Sequence, residues 1–329
     1  MITSKNPRSL FFVATLTAAM FLASPVGSRG GEPSTASGEV KILTIGNSFA
    51  DDTTFYLSQF AKSGGKKLLL FGANLGGHSL AQHVGYLKAY EADPTDPKGS
   101  PYKGKVDPRT GAKRDFSLRD ALSAVPWDYV TIQQVSSQSF LPDSFEPFAG
   151  ILVSYIHQHA PTAKILVLQT WAYREDHPLL AKEKLTQESM FEGVRAAYNQ
   201  LAARYTLQII PVGEAFQAAR KLPQWHFQYP DPDFDFANPK PGTLPVEAGS
   251  LNKGWSWTKD AKTGKQSFVL DAKHCNTAGK YLAASVLYDV IFPGAEPVTF
   301  CPPGLTDGDA AELRRIARET VEKLPAVTP

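Results

Sequence analysis

Apolar and polar positions follow two alternating periods along most of the chain. Val40 to Ile45 is a short, β-branched apolar run that stops at Gly46, and it predicts a buried strand. Phe49 to Ser63 then carries Phe49, Tyr56, Leu57 and Phe60 at helical spacing, with Asp51 and Asp52 in the first turn, where the helix dipole favours anions. The alternation repeats: Lys67 to Phe71 predicts a strand and a helix follows from about Ser79. Trp127 to Ile132 is a strand followed by a helix around Phe145 to His157, and Lys164 to Gln169 is a strand followed by a helix over Gln187 to Arg204. Leu207 to Val212 is the fifth strand, with a short helix from Glu214, and Thr277 to Ile291 makes another helix. Strands alternating with helices imply an α/β fold: a parallel sheet joined by right-handed crossovers, with helices on both faces.

Two stretches break this rhythm. Residues 90–116 are rich in Pro, Gly and Lys, and Asp107 to Gly111 reads as a turn between short strands. Residues 223–268 are rich in Pro, Asp and aromatics, with a similar turn at Asp260 to Gly264. Both are read as insertions, loops or hairpins, in one domain over residues 39–329. At the N-terminus, Lys5 and Arg8 precede an apolar run from Leu10 to Ala23, and small residues follow from Ser24 to Gly31. This is the layout of a signal peptide, placed at residues 1–28, with a linker over 29–38. The run is shorter than the roughly 20 residues of a membrane span and ends beside Pro25, so no span is expected once the signal is removed. The expected location is periplasmic or extracellular.

Composition narrows the functional classes. The 329 residues include 34 Lys and Arg against 32 Asp and Glu, a formal net charge of +2. Loss of residues 1–28 would take Lys5 and Arg8 and no acid, leaving the chain near neutral. With no block of like charge, nucleic acid is not an expected partner. Cys275 and Cys301 are the two cysteines, too few for a cysteine-ligated zinc cluster; in an oxidising compartment they could pair or stay as thiols. Asp231, Asp233 and Asp235 alternate as in a calcium loop but lack its Gly and Glu, which favours a solvated turn. No metal and no cofactor is expected, and the sequence leaves the oligomeric state open.

Candidate chemistry sits where loops leave the carboxyl ends of the strands. Gly46-Asn47-Ser48-Phe49 puts a hydroxyl at a strand-to-helix turn, where free N–H groups can hold an oxyanion. Taken alone, Ser48 reads as an N-cap. Asp271-Ala272-Lys273-His274 shifts that balance: an Asp three residues before a His can bond Nδ1–H and leave Nε2 to take a proton from a serine. Gly77-His78-Ser79-Leu80-Ala81 is closer to the Gly-x-Ser-x-Gly elbow, yet Ser79 trails Phe71 by eight residues, which favours an N-cap there.

Together these blocks resemble the SGNH/GDSL hydrolase superfamily over about residues 40 to 292. Gly46-Asn47-Ser48-Phe49 is similar to its first block, with Asn for the usual Asp; Gly77 is similar to the second-block glycine and Asp271-x-x-His274 to the fifth block. Ile45 to Phe49, Gly76 to Leu80, Trp127 to Gln134, Thr170 to Tyr173 and Ile210 to Ala215 resemble a poorly characterised bacterial branch. The resemblance implies a flavodoxin-like three-layer α/β/α sandwich and a Ser48/His274/Asp271 triad that hydrolyses esters. It also implies an oxyanion held by the Ser48 and Gly77 N–H groups and a third-block side chain. The usual Gly-x-Asn-Asp is replaced by Gln133-Gln134-Val135-Ser136: Gln134 carries the amide, Ser136 is nearer by spacing, and both stand as candidates.

Asn47, Trp171 and Tyr173 are candidates for contacting substrate, although aromatics at a strand end are commonly core. Trp225, Phe227, Tyr229, Trp255 and Trp257 would suit stacking on sugar or would anchor a long loop. The expected function is an exported serine esterase acting on a small ester, acylated carbohydrate included. The alternative is a carbohydrate-binding module on the same fold with weakened catalysis. Hydrolysis of a sulfur or phosphorus ester ranks last, because no metal cluster or phosphate-cradling glycine loop supports it.

Overall fold

The computed structural model describes residues 38–296 and 298–324, so the expected signal peptide and nearly all of the linker lie outside the described residues. A compact unit begins at Glu39. Its elements in chain order are β1 (Glu39–Gly46), α1 (Ser48–Thr54), α2 (Leu57–Ser63), β2 (Lys67–Asn74), α3 (Leu80–Ala92), β3 (Tyr102–Val106), β4 (Lys113–Phe116) and α4 (Leu118–Leu122). Then come β5 (Tyr129–Ile132), α5 (Phe148–His159), β6 (Lys164–Leu168), α6 (Pro178–Lys182), α7 (Gln187–Tyr205), β7 (Gln208–Ile210), α8 (Val212–Arg220), β8 (Trp255–Lys259), β9 (Gln266–Leu270), α9 (Thr277–Ile291) and α10 (Asp307–Glu322).

Five strands form one parallel sheet in the order β2-β1-β5-β6-β7, the sheet the alternation predicts. Side chains alternate between its faces, as the strand period requires. Ile42, Leu166, Leu168 and Ile210 join a core with α1, α2, α8, α9 and α10, while Leu43, Ile45, Val130, Ile132, Ile165 and Val167 join one with α3, α4, α5 and α7. These are the three layers of the expected α/β/α sandwich. Register aligns Gly46 with Asn74, Ile45 with Ile132, Ile132 with Val167 and Leu168 with Ile210, so the carboxyl ends share one edge. Each long insertion contains an antiparallel hairpin, β3–β4 or β8–β9.

Two details depart from the sequence reading. The helix expected over Phe49 to Ser63 is two helices, broken at Phe55 and Tyr56. Thr53 and Thr54 bond back to the carbonyls of Phe49 and Ala50, each at 2.9 Å, a side-chain competition that bends helices. The C-terminal helix α10 follows no strand and so falls outside the alternating pattern. It buries Ala310, Leu313, Ile316 and Ala317 in the same core as α9. Cys275 is buried and Cys301 partly exposed, and both are free thiols.

Candidate active site

Ser48 opens helix α1 directly after β1, but it is not the cap. Asn47 holds that position in extended conformation and accepts the Phe49 N–H on Oδ1 at 3.1 Å, which leaves the Ser48 hydroxyl unoccupied by capping. A Cβ at Gly46 would meet Gln133 Oε1 at 2.6 Å, so any larger residue there would displace the Gln133 side chain. Ser48 Oγ lies 2.8 Å from His274 Nε2 across 226 residues of chain. His274 Nδ1 lies 3.0 and 2.9 Å from the two Asp271 oxygens, so it carries the proton and Nε2 offers its lone pair to the serine. The structure therefore brings together the three residues singled out from two ends of the sequence.

Asp271 also accepts the backbone N–H groups of Lys273 at 3.2 Å and His274 at 2.9 Å. Burial works against its charge, but the bonds from the His274 ring and backbone, with that from Lys273, prevail and hold its pKa far below the usual carboxylate range. The side chains of Asp271 and His274 are 27% and 24% exposed, so the base stays open to solvent.

The loop that carries them is clamped. Ala272 takes a left-handed φ of 54° while fully buried. Its N–H donates to Lys253 O at 3.0 Å, and its carbonyl accepts from Arg174 N at 2.9 Å. Lys253 N donates to His274 O at 2.7 Å, Asp271 N to Gly254 O at 3.2 Å and Asn276 N to Leu251 O at 3.1 Å. The stretch of the second insertion just before its hairpin, Leu251 to Gly254, thus lies along the base loop. Arg174, 1% exposed, is held by Asp176 and by Glu247 of that insertion at 2.7 and 2.8 Å, and its guanidinium sits 4.0 Å from the centre of the Phe227 ring.

Around the nucleophile, Gly77 has φ +71°, a conformation that favours glycine. The turn is tied to β1 by Leu75 N to Gly46 O at 3.0 Å and by Asn47 Nδ2 to His78 O at 3.1 Å. Among the described residues neither the Ser48 nor the Gly77 backbone N–H has a hydrogen-bond partner. Ser79 is the N-cap of α3, in a capping box with Gln82, as its spacing predicts.

Several candidates have other employment. Gln134 is fully buried; its Oε1 accepts from Leu80 N at 3.1 Å and Val135 N at 2.8 Å, and its Nε2 donates to Ser144 O at 2.8 Å. The expectation of an oxyanion donor there is corrected: the longer side chain reaches past the site and braces two loops. Asn47, 1% exposed, is likewise a brace rather than a substrate contact, since Gln133 Nε2 donates to its Oδ1 at 3.3 Å while its amide holds His78. Trp171, also expected at the substrate cleft, is core. It stacks on Phe49 with ring centres 4.2 Å apart and on Phe216 at 4.9 Å. Tyr173 is 2% exposed, too buried to floor an open cleft.

Ser136 keeps its candidacy. Its Oγ lies 2.8 Å from the Tyr173 hydroxyl, and burial pushes the Tyr173 pKa up against the opposing Ser136 bond. A protonated tyrosine can donate to Ser136 Oγ and leave the serine hydrogen free. In the second insertion Trp255 stacks on Phe268 at 4.5 Å, Trp257 lies 5.1 Å from the same ring and Phe236 5.7 Å from Trp255, so its aromatics anchor one another. Asp231 and Asp235 cap turns, accepting the backbone N–H groups of Asp233 and Ala237, each at 3.0 Å. Among the described residues no group of three or more His, Cys, Asp or Glu is placed to hold a metal ion, and no helix is long and apolar enough to cross a membrane.

Asp52 and Asn252 also bond the base loop, to Cys275 N and Lys273 O respectively. Asn252 Nδ2 donates to Lys273 O at 2.9 Å and its Oδ1 accepts from Arg220 Nη2 at 2.9 Å. No local motif marks it. Asp51 and Asp52 stand three and four residues after Ser48, so spacing puts both acids near its helix face and does not tell them apart.

A family model described as "Domain of unknown function (DUF4886)" matches residues 41–224. A DUF4886 family protein from Bacteroides uniformis ATCC 8492 has this fold, with a TM-score of 0.64 and 23% identity over 87% of this chain and 96% of its own. Weaker likenesses reach a candidate SGNH hydrolase from Slackia heliotrinireducens (TM-score 0.46, 20% identity, 77% of this chain and 100% of that one). They also reach the lipase/acylhydrolase from Enterococcus faecalis (TM-score 0.43, 11% identity, 78% and 98%). No curated protein matches the chain.

Proposed function

The chain belongs to the DUF4886 family, a domain family of unknown function, and from the site it builds around Ser48 we propose that it is an exported serine esterase hydrolysing small carboxylic esters. The observation that carries this reading is the 2.8 Å contact between Ser48 Oγ and His274 Nε2, with Asp271 on the opposite ring nitrogen. A hydroxyl bonded to a base that is oriented by a carboxylate is the arrangement for nucleophilic acyl transfer.

In the reaction His274 Nε2 takes the hydroxyl proton as Ser48 Oγ attacks the ester carbonyl, and Asp271 stabilises the imidazolium. The oxyanion meets the Ser48 and Gly77 N–H groups and the Ser136 hydroxyl. Collapse expels the alcohol, which takes the proton from His274, and the same base then activates water to release the acid. Support for an acylated carbohydrate as substrate is the half-exposed aromatic cluster of the second insertion, which reaches the base loop through Leu251 to Gly254. Support for export, to the periplasm or beyond, is the charged, apolar and small-residue order of the N-terminus.

The test is hydrolysis of short-chain p-nitrophenyl esters by the wild type and Ser48→Ala. The variant is expected to lose turnover and keep its melting temperature; undiminished turnover overturns the proposal.

A further inference from the structure

We infer that Asp52 is a positioning residue of this site, fastening the nucleophile helix to the base loop and setting a second negative charge beneath the base. The inference rests on the esterase reading for its chemistry, though its geometry stands apart from it. Asp52 lies one helical turn after Ser48, and its side chain is 10% exposed. Oδ2 accepts the backbone N–H of Cys275, the residue after His274, at 2.8 Å, a bond spanning 223 residues. Cys275 is fully buried, so no bulk water can replace that acceptor. The nucleophile and the base are thus linked twice, through their own hydrogen bond and through this one behind it.

The choice of a carboxylate is the informative part. Satisfying one N–H needs only a neutral carbonyl such as that of asparagine, whereas a buried carboxylate carries a desolvation penalty. Burial accordingly raises the Asp52 pKa, with the Cys275 N–H and Lys280 opposing. The groups facing it are Cys275 and His274 on the base loop, Lys280 of α9 with its Nζ at 3.6 Å, and Lys253 of the second insertion. A negative charge there favours the imidazolium that forms when His274 takes the serine proton, adding to the field of Asp271. Because Asp52 touches neither substrate nor the reacting atoms, it acts through His274.

Asp52→Asn in the full-length protein separates charge from packing, since the amide oxygen can still accept from Cys275. The readouts are the NMR titration of the His274 imidazole and the pH profile of kcat/KM on p-nitrophenyl acetate. The expected result is that losing the nearby negative charge makes the His274 imidazolium harder to form, seen as a displaced ring titration. A roughly tenfold lower kcat at unchanged KM should accompany it. An unmoved titration, with or without a lower melting temperature, overturns the inference. A wild type without esterase activity whose His274 titration still responds to Asp52→Asn supports the inference and refutes the esterase reading. Should Asp52→Asn fail to fold, the wild type answers: the Cys275 amide and His274 ring resonances must shift at the pH where the Asp52 carboxyl titrates, and independent behaviour overturns the inference.

Discussion

The indole N–H of Trp171 donates to the carbonyl oxygen of Lys273 at 2.8 Å, joining the segment that leaves β6 to the residue just before the base. The same ring stacks on Phe49, the residue after the nucleophile, so one buried side chain touches the neighbours of both reacting groups. Trp171→Phe keeps much of the stack and removes the donor. It is expected to lower stability by about 1 kcal/mol and to reduce kcat with KM unchanged. Trp171→Ala should cost about 3–5 kcal/mol through the cavity it leaves. Denaturant unfolding beside steady-state kinetics checks both; wild-type turnover in Trp171→Phe would mean that the indole bond does not position the base.

The third oxyanion donor is decided by comparing Ser136 with Gln134. Loss of one such donor typically lowers kcat by roughly 10²–10³-fold, so Ser136→Ala is expected to fall in that range with little change in unfolding. Gln134→Ala should do the reverse, losing stability because it leaves the Leu80 and Val135 N–H groups without acceptors. Tyr173→Phe, which removes the hydroxyl behind Ser136, should give part of the Ser136→Ala loss and little more when combined with it. Additive losses in that cycle would separate the two residues.

Asp271→Asn tests the orienting carboxylate. An amide can no longer hold the Nδ1–H tautomer, and kcat should drop by about 10⁴-fold, the magnitude known for a serine protease triad. Because its pKa is depressed, Asp271 stays ionised well below the usual carboxylate range. Its contribution to stability is therefore present above the unfolded-state value and is lost only as pH falls through the folded one. The acid limb of the wild-type pH–rate profile should accordingly contain no Asp271 step.

Much of this site was legible in the sequence because it depends on local chemistry. A β-branched run ending in Gly46 announces the nucleophile turn, and an Asp three residues before a His announces a base with its orienter. The five strands follow from the alternation for the same reason. What escaped depends on where long side chains end after folding. Gln134 has the chemistry of an amide donor, yet one extra methylene and the position of Ser144 take it into the scaffold. Asn47 was read as facing substrate, but the turn at Gly76 and Gly77 comes back over it and uses its amide. Asp52 is indistinguishable from Asp51 by pattern, and only the docking of the base loop buries one and leaves the other exposed. Trp171 shows the limit most plainly, since an aromatic at a strand end fits a cleft floor and a core equally well until its neighbours are known.

His83 supplies a pH test of the fold around the nucleophile. It is fully buried, with Nε2 2.9 Å from Gly46 O and Nδ1 2.8 Å from the Tyr102 hydroxyl. The neutral ring donates to Gly46 and accepts from Tyr102, tying the first insertion to the strand end two residues before Ser48. Burial lowers its pKa from 6.5 to about 4. A histidine with a depressed folded-state pKa favours the unfolded chain as it protonates, so its contribution is intact above pH 6.5 and is lost as pH falls toward 4. The full loss is on the order of 3 kcal/mol. Urea unfolding between pH 7 and pH 4 should therefore have a steeper stability slope in the wild type than in His83→Gln, which cannot titrate. Parallel slopes would mean that the ring does not remain neutral and buried.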